Sequence, residues 1–363
     1  MNNSTGLTPA LRILLLTAGA AVTLWGMSNY ASYITSAALA IMIVLACSPL
    51  IDWLRRRGLP KWAALLITLV VSLLVLGIFV VFLVYAGAQF ALQLPTYQQQ
   101  AQAMVQQGQA WLQSLGLESA GASAVATQAD PATPLTWVSG LLGALASALG
   151  NGVTLALLMV FLFVDVVLFP GRLEWQATHG NSYAQRVAEF TGNLRQYIVV
   201  MVIIGTAIGA LNTVMFFLLG VPMPLLWGIF SGILNFIPFI GFWFGLIPPA
   251  ILTLLAYGPE RMLVLCVIYI LINAFVQNVI QPRLVVVRLN LTPFMNLLSS
   301  TFWPLVLGPV GAIVGVPMTM VVRSLLFDAD PTTRWLGDLM GTTLPDQAPP
   351  VTTPPTVKKA QGK

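Results

Sequence analysis

Apolar runs fill most of the chain, at residues 11–28, 31–51, 62–89, 135–169, 197–219, 225–257, 261–281 and 289–322. The first two predict helices joined by a tight turn near Asn29, and the third predicts a helix from about Trp62 to Gln89. Residues 93–113 change character. They are rich in glutamine, and Leu94, Tyr97, Met104, Trp111 and Leu115 recur at roughly helical spacing, which predicts an uncharged amphipathic helix on the outer face. Residues 116–134 are rich in Gly, Ala, Ser and Thr and read as a flexible connection. Within 135–169, Gly150-Asn151-Gly152 divides an interfacial helix from a span that ends at Pro170-Gly171.

Two runs are interrupted in a way the others are not. Residues 225–257 carry Asn235-Phe-Ile-Pro238-Phe-Ile-Gly241, and residues 289–322 carry Gly308-Pro309-Val-Gly311, with no charge in either. A hydrocarbon core of about 30 Å needs about 20 helical residues, so each run is too long for one span and too short for two. Broken apolar helices are tolerated in a bilayer where the freed backbone is buried or lines a cavity, and transporters build substrate sites from them. The two runs also echo each other: Gly241 and Gly245 precede Pro248 as Gly311 and Gly315 precede Pro317. Small residues four apart let helices approach closely.

Charge then sets orientation. The chain is 58% hydrophobic and 7% charged, with a mean hydropathy of +0.87, and this excess of apolar side chains must face lipid. The net charge of +5 is no nucleic-acid footprint, because the basic residues sit at the ends of apolar runs. Arg55, Arg56, Arg57 and Lys61 mark a cytoplasmic loop, as does the polar segment 171–195 with Arg172, Arg186 and Arg195. Arg12 followed by an apolar run to Trp25 resembles a signal peptide, but the further spans favour an uncleaved first helix. If 222–257 crosses once, Arg261 is inside while Arg283 and Arg288 are outside. If it is a re-entrant hairpin, those sides reverse and 293–322 becomes a second hairpin; the positive-inside rule leans this way, and the C-terminus is cytoplasmic in both.

The chain from about 11 to 327 resembles the AI-2E family of autoinducer-2 exporters and related permeases. The matching elements are Asn235-Phe-Ile-Pro238-Phe-Ile-Gly241, Gln277-Asn-Val-Ile-Gln-Pro282-Arg283-Leu, and Gly308-Pro-Val-Gly311-Ala followed by Val316-Pro317. The resemblance implies a multi-pass protein of the bacterial inner membrane that is a homo-oligomer, with a pentamer as one form. It also implies efflux of a small polar metabolite such as the quorum-sensing signal autoinducer-2, with some relatives linked to sodium/proton exchange. Two departures stand out. Residues 262–282 lack the acidic residue many relatives carry there, which weighs against cation coupling through that helix, and Val285, Val286 and Val287 replace glycines.

Candidate chemistry follows from polar groups at membrane depth. Asn273, Gln277 and Gln281 recur every four residues and share a helix face, with Asn278 beside it. Uncharged amides suit a neutral, hydroxyl-rich solute; their plainer role is interhelical hydrogen bonding, worth about 0.6 kcal/mol per contact. Pro238 lacks an N–H and clashes with the carbonyl of Leu234, which predicts a free backbone oxygen beside Asn235 and Gly241. Ser299 and Ser300 offer hydroxyls in the second broken run, or else bond back to their own helix. Asp165 is the one carboxylate in a predicted span and so a candidate for proton coupling, with Arg172 or Arg195 as partner at the interface. Arg283 and Arg288 are interface anchors or gate residues.

No enzyme or cofactor site is indicated. His179 is the sole histidine, Cys47 and Cys266 lie in apolar runs, and no phosphate-binding loop occurs, so no metal cluster is expected and transport would be secondary or facilitated. The sequence therefore predicts an all-α polytopic membrane protein of about eight membrane segments. Residues 1–90 form three spans, and 91–150 hold the amphipathic helix, linker and interfacial helix. Residues 151–219 form two spans around the 171–195 loop, 220–327 a transport core, and 328–363 a disordered cytoplasmic tail. Two other functions stay open: a sodium/proton antiporter using Asp165, and a scaffold that binds partners through 93–115 and 171–195.

Overall fold

The computed structural model describes residues 8–114, 140, 143, 152–178, 182–284, 291–324 and 339–340. Every element among them is helical. In chain order they are α1 (Pro9–Asn29), α2 (Ala31–Arg56), α3 (Lys61–Ser114), α4 (Gly152–Thr178), α5 (Ser182–Leu218), α6 (Pro224–Leu234), α7 (Ile240–Tyr257) and α8 (Pro259–Phe275). A π-helical turn, Val276–Ile280, leads from α8 into α9 (Gln281–Leu284), and α10 (Pro293–Leu307) and α11 (Pro309–Val322) complete the set. Among the described residues, five helical segments are long and apolar enough to cross a membrane, including Ala31–Arg56, Ala184–Leu218 and Pro259–Ile280. Many of their large apolar side chains are exposed, Leu74, Ile78 and Val81 of α3 among them, as lipid-facing positions require. The fold is that of a polytopic α-helical membrane protein.

Several boundaries differ from those the sequence suggests. The helix expected to stop near Gln89 continues unbroken to Ser114, so the amphipathic residues 93–113 extend α3 rather than forming a separate surface helix. The expected boundary at residue 90 falls inside it. Glutamine and alanine propagate a helix well, and Pro95 is accommodated within it. The span expected to end at Pro170-Gly171 runs on to Thr178, and α5 begins at Ser182, so most of the polar segment 171–195 is helix rather than loop. In the expected tail, Met340 accepts a hydrogen bond from the Thr292 amide (2.9 Å), which ties that segment back to the start of α10. Residues 116–134, Arg288 and the valines at 285–287 lie outside the described residues.

Both interrupted runs are antiparallel helix pairs. In the first, Tyr257 at the far end of α7 donates its hydroxyl to the Gly220 carbonyl (2.8 Å) at the end of α5, where α6 begins. The stretch therefore leaves and returns at one end of the bundle, and its turn at 235–239 lies at the other end of the pair. Glycines set the spacing. A Cβ on Gly232 of α6 would lie 2.5 Å from the Gly205 carbonyl oxygen of α5, so the two backbones touch. The Gly-x-x-x-Gly echo has the same basis within each hairpin: added methyls at Gly241 and Gly311 would overlap the carbonyls of Leu234 and Trp303, in the opposing arms.

Candidate functional site

The turn between α6 and α7 is forced by sequence. Pro238 has no N–H and disfavours helical geometry at the residue before it. The last turn of α6 consequently tightens, with the Phe236 amide bonding to Ile233 and the Ile237 amide to Leu234 (2.9 Å). The Leu234 carbonyl expected to be left free is thus satisfied. Phe239 then adopts φ 62° and ψ −53°, and the Ile240 amide bonds back to the Pro238 carbonyl at 2.6 Å. This is the rare positive-φ γ-turn, strained for a bulky side chain, and such strain concentrates at ligand sites and switches.

A second irregularity faces this turn. Pro282 would clash with the Asn278 carbonyl in a regular helix. The chain widens instead, and the Gln281 amide bonds to the Val276 carbonyl, five residues back. π-turns are frequent at functional sites. Asn278 points away and donates its amide to the Ala274 carbonyl (2.8 Å).

Between these two irregular segments lies a cavity of about 470 Å³. It brings together six of the residues singled out in the sequence: Asn235, Pro238 and Gly241 from the hairpin turn, and Asn273, Gln277 and Gln281 from the α8–α9 face. Tyr197 of α5 and Asn296 of α10 close other sides. No charged side chain lines it among the described residues. Its size suits a small molecule.

The inner wall holds polar groups that the sequence reading missed. Buried Asn212 of α5 donates to the Ser231 hydroxyl of α6 (2.6 Å), which lies 3.1 Å from the Tyr269 hydroxyl of α8. Tyr269 also reaches the Phe242 carbonyl of α7 (3.4 Å), while its own carbonyl accepts the Asn273 amide (2.9 Å). A signal for Tyr269 was present, since it sits four residues before Asn273 and continues the same four-residue series. Ser231 likewise precedes Asn235 by four.

The remaining candidates lie elsewhere. Ser300 bonds back to the Asn296 and Leu297 carbonyls, and Thr319 of α11 donates to Ser299 (2.7 Å), closing the second hairpin. Arg283 is exposed and does not line the cavity. Asp165 is exposed on α4. Its suggested partner Arg195 is engaged by another carboxylate: it pairs with Asp52 at the end of α2 and donates to Ser48 (2.6 Å). Asp52 thereby becomes a second acidic residue within a long apolar helix.

A multi-pass helical bundle in which a broken hairpin and a π-turn enclose a neutral polar cavity has the build of a membrane transporter. The chain belongs to the AI-2E transporter family, whose model matches residues 11–328. It is similar to the AI-2 transport protein TqsA of Escherichia coli K12, with 26% identity over 316 residues covering 87% of this chain and 92% of TqsA. It is also similar to the protein YhhT of the same organism, 25% identical over 313 residues that cover 86% and 89% of the two chains. The Mycobacterium tuberculosis protein MT0215 is 27% identical over 328 residues, covering 85% and 86%.

Proposed function

We propose that this protein exports a small, neutral, polar metabolite such as autoinducer-2 across the bacterial inner membrane, by secondary or facilitated alternating access. The observation that carries the reading is the cavity where the turn of the first hairpin meets the amide face of α8 and α9. Amides at membrane depth satisfy hydroxyls without adding charge. Asn235, Asn273, Gln277 and Gln281 contact the solute around the bend at Pro238 and Gly241, whereas Asn278 and Ser300 support their own helices and Ser299 ties α10 to α11.

In this reading both hairpins are re-entrant: α6 has 11 residues, α10 has 15 and α11 has 14, all short of a span, while α7, at 18 residues long and apolar enough to cross, returns to the end where α6 begins. The termini are cytoplasmic and the protein assembles as a homo-oligomer. Tyr197 lies two residues from Arg195, so the cavity sits toward the cytoplasmic end, ready to load. The test is autoinducer-2 flux in proteoliposomes with and without sodium and pH gradients. Saturable flux that is lost in Gln277→Leu at equal incorporation is the expected result. Equal flux in wild type and Gln277→Leu would remove the site, and cation movement without solute would favour an antiporter.

A further inference from the structure

Tyr269 is the hydroxyl through which α8 reaches both arms of the first hairpin: Ser231 on α6 at 3.1 Å and the Phe242 carbonyl on α7 at 3.4 Å. It is buried, as is Ser231, and Ser231 is anchored to the bundle by Asn212 (2.6 Å). The room for this hydroxyl is kept by Gly245 of α7, where a methyl group would overlap it. Both Tyr269 and Ser231 also line the cavity. We infer that Tyr269 is a positioning residue for transport, a hydroxyl latch that holds the first hairpin against α8 until a solute hydroxyl takes its place. The second half of that inference rests on the transport reading; the first does not.

The chemistry explains why a neutral solute would open the latch. Ser231 accepts one hydrogen bond from Asn212, and a single hydrogen is shared between Ser231 and Tyr269. If the hairpin moves away with the cavity empty, Tyr269 loses its partners and Ser231 keeps only Asn212, in a setting where an unmade hydrogen bond is costly. A solute hydroxyl at the inner wall can donate to one and accept from the other, so separation then proceeds without an unsatisfied group. No charge moves and no proton is transferred. An unloaded carrier therefore stays shut.

Tyr269→Phe removes the hydroxyl while keeping the ring that packs against Phe216 and Phe242, at 6.3 and 5.4 Å between centroids. Hydrogen–deuterium exchange on the full chain in lipid nanodiscs reads the latch without any solute. Amides of 235–245 should exchange about three- to tenfold faster in Tyr269→Phe, as expected for one buried hydrogen bond. Ser231→Ala, which leaves Tyr269 and its contact to Phe242 in place but takes the acceptor from Asn212, should speed the same amides. The double variant should fall well short of the sum, because the Ser231–Tyr269 bond is common to both. Unchanged exchange, full additivity, or an increase spread over α2 and α5 would overturn the latch. Tyr257→Phe, at the opposite end of the hairpin, is the control that leaves these amides unchanged. In proteoliposomes, Tyr269→Phe should lower the preference for autoinducer-2 over glycine betaine, a net-neutral solute with no hydroxyl, at least threefold, and an unchanged preference would overturn the solute half. If the wild type moves no autoinducer-2, the transport reading for that solute fails while the exchange data still decide the latch.

Discussion

Replacing Gly232 with alanine tests whether contact between α5 and α6 positions the hairpin. The added Cβ would lie 2.5 Å from the Gly205 carbonyl oxygen and 3.3 Å from the Gly209 Cα. A comfortable carbon–oxygen approach is about 3.3–3.6 Å, so the helices must separate by roughly 0.8 Å. Neither contact is a side-chain tip that could rotate aside. Overpacking of this kind costs about 1–3 kcal/mol, against about 0.8–1 kcal/mol regained from alanine's higher helix propensity. Gly77→Ala in α3 provides the matched control, because its Cβ meets nothing within 4 Å and only the propensity gain applies. Thermal unfolding in one detergent should therefore place Gly232→Ala below wild type and Gly77→Ala at or above it, a gap of about 2 kcal/mol between the variants. Solute flux should fall in Gly232→Ala alone. If Gly232→Ala melts at or above Gly77→Ala, the two backbones are not in contact and the account of the hairpin's seating is wrong.

Pro282→Ala should let the π-turn relax and turn Gln277 and Gln281 away from the cavity; flux falls at least tenfold while the melting temperature holds or rises, and intact flux would deny the turn a role. Asp52→Asn removes a pair whose side chains are 39% and 44% exposed, so unfolding measurements should show a loss under about 1 kcal/mol, and a much larger loss would mean the pair is effectively buried. Asp165→Asn should leave solute flux within about twofold of wild type, because Asp165 lies on α4 away from the cavity; abolished flux would restore proton coupling through this carboxylate.

The broken hairpins and the amide face were legible because their cause is local. Proline's missing N–H and the four-residue spacing of Asn273, Gln277 and Gln281 act within a turn or two of chain. The extents of α3, α4 and α5 were not legible. Polarity marked where each run leaves the apolar layer, but helix propensity carries the backbone past that point, through Pro95 and through Pro170-Gly171. The Asn212–Ser231–Tyr269 chain was hidden for a different reason. Its members are isolated polar residues on three helices, and only packing shows that they meet. The pairing of Arg195 with Asp52 is likewise a matter of which helix ends lie side by side.

At 54 residues α3 is about 81 Å long, against a hydrocarbon layer of about 30 Å. Roughly 50 Å of rod must therefore stand outside the oily layer, and from Gln93 to Ser114 it carries no ionic side chain. In proteins most helical stability comes from packing an amphipathic face, and this segment has no salt bridges to replace that packing in water. Helical content in this segment is then a gauge of its company. Circular dichroism of an isolated 91–114 peptide should show mostly coil, and the same residues gain helix only where the rest of the protein, or a neighbouring surface, shields their apolar stripe.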